Sequence, residues 1–87
     1  MDEKKVAEMI DQINKSMDML LSDTTVPKNV RSSVSQAKGK LNASGEYTMR
    51  IASAIYEIDS VSSDINLPPQ ARTMVWNILS MLESIKD

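Results

Sequence analysis

Two stretches decide the fold: Ser22-Asp23-Thr24-Thr25-Val26-Pro27-Lys28-Asn29-Val30-Arg31 and Ser63-Asp64-Ile65-Asn66-Leu67-Pro68-Pro69-Gln70-Ala71-Arg72. They lie 41 residues apart and align without a gap. Ser-Asp, the proline and the arginine coincide, and Val26 falls on Leu67. The register continues outward. Val34 falls on Val75 and Leu41 on Leu82; upstream, Ile10 falls on Ile51, Met17 on Ile58, Asp18 on Asp59 and Leu20 on Val61. Each half therefore reads as a helix, a Ser-Asp turn and a second helix opened by proline, whose missing N–H costs nothing in a first helical turn.

Within these halves the apolar residues step by three and four, which is helical and not strand periodicity. The stripes are Val6, Ile10, Ile13, Met17, Leu20; then Val30, Val34, Ala37, Leu41; then Ile51, Ile55, Ile58; then Ala71, Val75, Ile78, Leu82, Ile85. Asn42-Ala43-Ser44-Gly45 separates the second helix from the third, with Ser44 or Gly45 as the expected N-cap. Helices are expected near 3–21, 27–42, 45–62 and 68–85. The period and the Asp…Pro…Arg order resemble HEAT or armadillo repeats. Two repeats are too few for a solenoid. The expectation is all-α: a four-helix up-and-down antiparallel bundle of two similar hairpins, a single domain over 1–87 with its internal repeat at about 10–41 and 51–82.

The 87 residues include no Cys and no His. That removes thiolate chemistry, the usual zinc ligands, the Glu-x-x-His pairs of di-iron bundles and a Ser-His-Asp nucleophile. Asp11 and Asp18 share a face of the first helix as solvated carboxylates. Gly39-Lys40 lacks the glycine and strand of a phosphate loop. No catalytic, cofactor-binding or metal-ligating residue is expected, and no small-molecule substrate. No apolar run approaches the roughly 20 residues of a membrane span, so a cytoplasmic protein is expected. Asp23 and Asp64 are read as capping or neutralising the following helix N-terminus. Arg31 and Arg72 are read as pairing with acids of the preceding helix.

Net charge is −2, but unevenly spread. Residues 24–43 carry Lys28, Arg31, Lys38 and Lys40 and no acid. That basic second helix is the alternative functional face, for nucleic acid; its lysines would otherwise complement acids of the first helix. The aromatics point elsewhere. At about 100° per residue, Trp76 lies about 140° from the fourth helix's core stripe, and Tyr56 is similarly placed on the third helix. Met49 shares that outer face and Leu79 lies between it and the core. The equivalents of Tyr56 and Trp76 in the first half are Lys15 and Ser35. A helix apolar on two sides has two neighbours. The expected function is thus protein binding or self-assembly, a homodimer included, through Tyr56, Trp76, Met49, Leu79 and Arg72, with Arg72 and Glu83 as orienting rim charges.

Ala54-Ile55-Tyr56-Glu57-Ile58-Asp59, Ser63 to Pro68, Ala71-Arg72-Thr73, Val75-Trp76-Asn77-Ile78 and the earlier Thr25-Val26-Pro27-Lys28-Asn29-Val30-Arg31 together resemble a small archaeal family of uncharacterised proteins. The resemblance covers nearly the whole chain; the first helix and the Ser44-Gly45 turn depart most. It implies a short all-helical bundle with no assigned activity and no site to carry over. Tyr56, Arg72 and Trp76 belong to its pattern.

Overall fold

The computed structural model describes residues 2–85; residues 1, 86 and 87 of the expected domain lie outside the described residues. Four helices form: α1 (Glu3–Leu21), α2 (Lys28–Leu41), α3 (Tyr47–Asp59) and α4 (Pro69–Ser84). The Asp2 side chain caps α1 by accepting the Lys5 amide at 2.8 Å. Pro27 is the N-cap of α2 in extended conformation, and Pro68-Pro69 open α4 in the same way. The start of α3 differs from expectation: its N-cap is Glu46, because Gly45 sits at φ +118° and serves the turn instead. α3 also ends three residues early, where Ser60 to Ser63 coil into a turn.

Chain direction follows from paired side chains. Asn14 meets Asn42 and Asp18 meets Lys38, in opposite order along α1 and α2. Arg50, near the start of α3, reaches the Ala43 carbonyl, while Asn29 at the start of α2 reaches Asp64 beyond α3. Both neighbouring pairs are therefore antiparallel. α4 starts at that far end and packs against α3 and α1. Among the described residues the diagonal pairs α1–α3 and α2–α4 bring no Cα atoms within 8 Å of each other. Stacked solenoid hairpins would bring their first helices together; here the ring closes through α4 and α1.

The core is wholly apolar. Every buried residue from Ile10 to Leu41 has a buried counterpart 41 positions on, from Ile51 to Leu82. Sequence duplication and core are thus one pattern. One position corrects the sequence reading: between Ile51 and Ile58 the buried residue of α3 is Ala54, not Ile55, and Ile55 only packs against the core's edge. The equivalents of Ala54 and Ala37 are Ile13 and Ile78. So α2 and α3 each carry an alanine where α1 and α4 carry isoleucine, all four fully buried. Small side chains let backbones approach, and α2–α3 is the most extensive contact in the ring.

Candidate interaction face

The two hairpins share a turn. Asp23 accepts the Thr25 amide at 2.9 Å and the Thr25 hydroxyl at 2.6 Å. Asp64 accepts the Asn66 amide at 2.8 Å and the Asn29 side-chain amide at 3.0 Å. These are Asx turns and not helix caps: each aspartate lies four residues before the proline N-cap of the next helix. The donors hold both carboxyls below their usual range. For Asp23 the Thr25 hydroxyl dominates and for Asp64 the Asn29 amide, with Arg31 and Arg72 adding a smaller attraction. The arginines also differ from expectation. Arg31 donates through Nε to the Val26 carbonyl at 3.2 Å, and Arg72 donates to the Leu67 and Asp64 carbonyls at 3.4 Å. They tie the loop to the helix instead of pairing with acids of the preceding helix.

Above these matching turns the hairpins part company. In the first, α1 and α2 are latched by polar side chains. Asn14 and Asn42 exchange two amide hydrogen bonds, at 2.9 and 2.7 Å, and Lys38 pairs with Asp18. In the second hairpin those four positions are Ile55, Glu83, Leu79 and Asp59. Neither latch can form. In its place the Trp76 indole donates to the Ser62 carbonyl at 3.3 Å, tying α4 to the turn that follows α3. The donor atom of the indole is thereby satisfied, yet the residue remains 62% exposed.

The structure divides the expected interface residues. Trp76 stands between two shallow depressions, one lined with it by Leu79, Glu83 and Ser62, the other by Arg72, Thr73 and Asn77. Tyr56 and Met49 are exposed on the back of α3 and line neither. The basic helix is largely committed internally. Lys38 pairs with Asp18 of α1 as its complementing role requires, Lys40 pairs with Glu57 of α3 at 2.6 Å, and Arg31 holds its own turn. Lys28 is exposed. Asp11 pairs with Lys15 at 3.4 Å. Among the described residues no three His, Cys, Asp or Glu cluster where they could hold a metal ion, and no helix is long and apolar enough to cross a membrane.

The sequence reading did not single out a cleft between the starts of α1 and α3, lined by Glu3, Ala7, Glu46, Thr48 and Arg50 among others. Arg50 donates to the Ala43 carbonyl at 3.2 Å, while its buried Nε has no partner. The available signal was that Arg50 stands where the repeat has Met9, a cation at the edge of an apolar stripe.

A family model described as an uncharacterised protein family (UPF0147) matches residues 1–85. A UPF0147 protein of Archaeoglobus fulgidus is 41% identical over 76 residues, covering 87% of each chain. Another, of Methanocaldococcus jannaschii, is 38% identical over 85 residues, covering 97% of this chain and 91% of that one. A crystal structure of a UPF0147 protein from Thermoplasma acidophilum superposes with a TM-score of 0.85 at 31% identity, covering 92% of this chain and 95% of that one.

Proposed function

The chain belongs to the uncharacterised family UPF0147, and from that premise we propose that it is a small non-catalytic association module whose contact face is the open flank of the second hairpin. The observation that carries this is the substitution of the first hairpin's latch. Asn14, Asn42, Asp18 and Lys38 satisfy one another; Ile55, Glu83, Asp59 and Leu79 do not, and an indole lies beside them in solvent. Exposed tryptophan is a preferred interface anchor, since it contributes large area with few rotatable bonds. Trp76 and Leu79 form the contact and Arg72 and Glu83 its rim, while Tyr56 and Met49 lie outside the depressions that flank the indole. The reading involves no cofactor, small-molecule substrate or membrane. Phosphate binding by α2 is disfavoured because Lys38 and Lys40 already hold carboxylates.

A photo-crosslinking side chain at position 76, with position 15 as an exposed control, tests it. The variants are irradiated as pure protein and in extract of Methanocaldococcus jannaschii, and adducts are identified by mass spectrometry. Position 76 gives a defined protein adduct that position 15 does not. No adduct specific to position 76 in either setting overturns the proposal. Retention of RNA or DNA that weakens steeply with added salt would move the function to α2.

A further inference from the structure

We propose that the occupant of this flank is a second copy of the chain, with α4 packed antiparallel on α4 about a two-fold axis. The inference rests on the reading above that the flank is a contact face. Its own basis is the order of residues along α4. Arg72, Trp76, Leu79 and Glu83 follow at steps of four, three and four, so they form one stripe on the helix. Arg72, Trp76 and Glu83 are exposed and Leu79 is half-buried.

The stripe is complementary to itself. Place a second α4 antiparallel, centred between Asn77 and Ile78. Arg72 then faces Glu83 of the partner subunit, and Glu83 faces the partner's Arg72. Inside these pairs Trp76 faces the partner's Leu79, and Leu79 the partner's Trp76. Two apolar pairs occupy the centre and two opposite charges close each end, the arrangement of an interface with an apolar middle and a charged rim. An isologous contact requires this property, because each patch must fit its own copy reversed. The depressions on either side of the indole offer seats for the incoming Leu79. Arg72 has donors to spare: guanidinium carries five N–H groups, and Nη2 is the atom already serving the Asp64 and Leu67 carbonyls.

The corresponding outer stripes of α3 and α2 fail the same requirement. On α3 the outer stripe is Met49, Ala52, Tyr56 and Asp59, which reversed would put a methionine on a carboxylate. On α2 the equivalent stripe is Arg31, Ser35, Lys38 and Asn42. It holds two cations and no acid, and Lys38 and Asn42 are bonded to α1. Of these three stripes, that of α4 alone is complementary to its own copy.

A contact of one helix pair belongs to the small class of interfaces, under about 1,200 Å², so association is measured by sedimentation equilibrium up to about 1 mM. The variants are Arg72→Glu, Glu83→Arg, the double reversal, and Trp76→Ala, each checked for unchanged helical circular dichroism. The wild type dimerises. Because the axis counts each change twice and sets like charges together, either single reversal weakens the dimer by about tenfold or more. The double reversal rebuilds both pairs and restores affinity to within about threefold. Trp76→Ala abolishes association. A wild type that stays monomeric throughout overturns the self-association, while the crosslink in extract still decides the contact face. Dimers lost in Trp76→Ala but not restored by the double reversal overturn the register alone. Dimers unaffected by Trp76→Ala overturn both.

Discussion

Replacing Ala54 with isoleucine adds three carbons at a fully buried position of α3, whose contact with α2 is the most extensive in the ring. Ala54 is fully buried on α3, and Ala37 is fully buried on α2. Two costs arise and can be separated. Isoleucine is a poorer helix former than alanine by about 0.5 kcal/mol. Forcing volume into a filled core costs a further ~1–3 kcal/mol. The control is Ala52→Ile on the same helix, where the residue is exposed and only the first cost applies. For a domain of this size each kcal/mol moves the midpoint temperature by about 4–8 °C. Ala54→Ile therefore melts about 4–24 °C below Ala52→Ile. Urea unfolding followed by far-ultraviolet circular dichroism gives the same difference in free energy with the slope unchanged. Equal stability of the two variants would refute the argument that paired alanines set the α2–α3 approach.

Three further outcomes follow from other parts of the structure. Gly39→Ala stabilises by up to about 1 kcal/mol, since glycine wastes helix propensity there and a Cβ would meet nothing within 4 Å; Gly45→Ala destabilises, because φ is +118°. Both are read from urea midpoints. Trp76→Ala costs the fold little: with 62% of the residue exposed, roughly 90 Å² is covered, worth about 2 kcal/mol at most, whereas Ile78→Ala in the core costs about 2–5 kcal/mol. A Trp76→Ala loss as large as that of Ile78→Ala would make the indole a core residue. Finally, Asp23 and Asp64 are held below the usual carboxylate range. The folded chain thus binds fewer protons than the unfolded one as acid is added. Their contribution is present above about pH 4, the unfolded value, and is lost as the pH falls through the lower folded value. Urea midpoints of Asp23→Asn/Asp64→Asn fall less between pH 5 and 2 than those of the wild type, on the same buffers.

The features legible in sequence are those fixed by local rules. Helix starts followed proline geometry at Pro27 and Pro68, and the duplicated core followed the three-four spacing. The stripes showed which residues face inward but not how near the helices come; hence Ile55 was read in place of Ala54, a small residue whose value lies in what it lets approach. Arg31 and Arg72 read in sequence as partners of acids on the preceding helix and instead bond loop carbonyls; a guanidinium is as well served by a carbonyl as by a carboxylate, and spacing does not choose between them. The Asn14–Asn42 part of the latch is not legible in sequence for the same reason. Asn14 and Asn42 lie 28 positions apart, and only folding tells that they share a seam. Trp76 and Tyr56 were both placed outside the core, and both are exposed; that one borders depressions and the other does not depends on neighbouring helices.

Closure of the ring through α4 and α1 bears on the order in which the hairpins are joined. Because the first and last helices are neighbours and run in opposite directions, the chain can be circularly permuted. A short linker would join the end of α4 to the start of α1, and a new opening would fall at the Ser44-Gly45 turn. The permuted protein begins with the second hairpin, ends with the first and keeps every helix contact, so the two halves form a cycle without a privileged beginning.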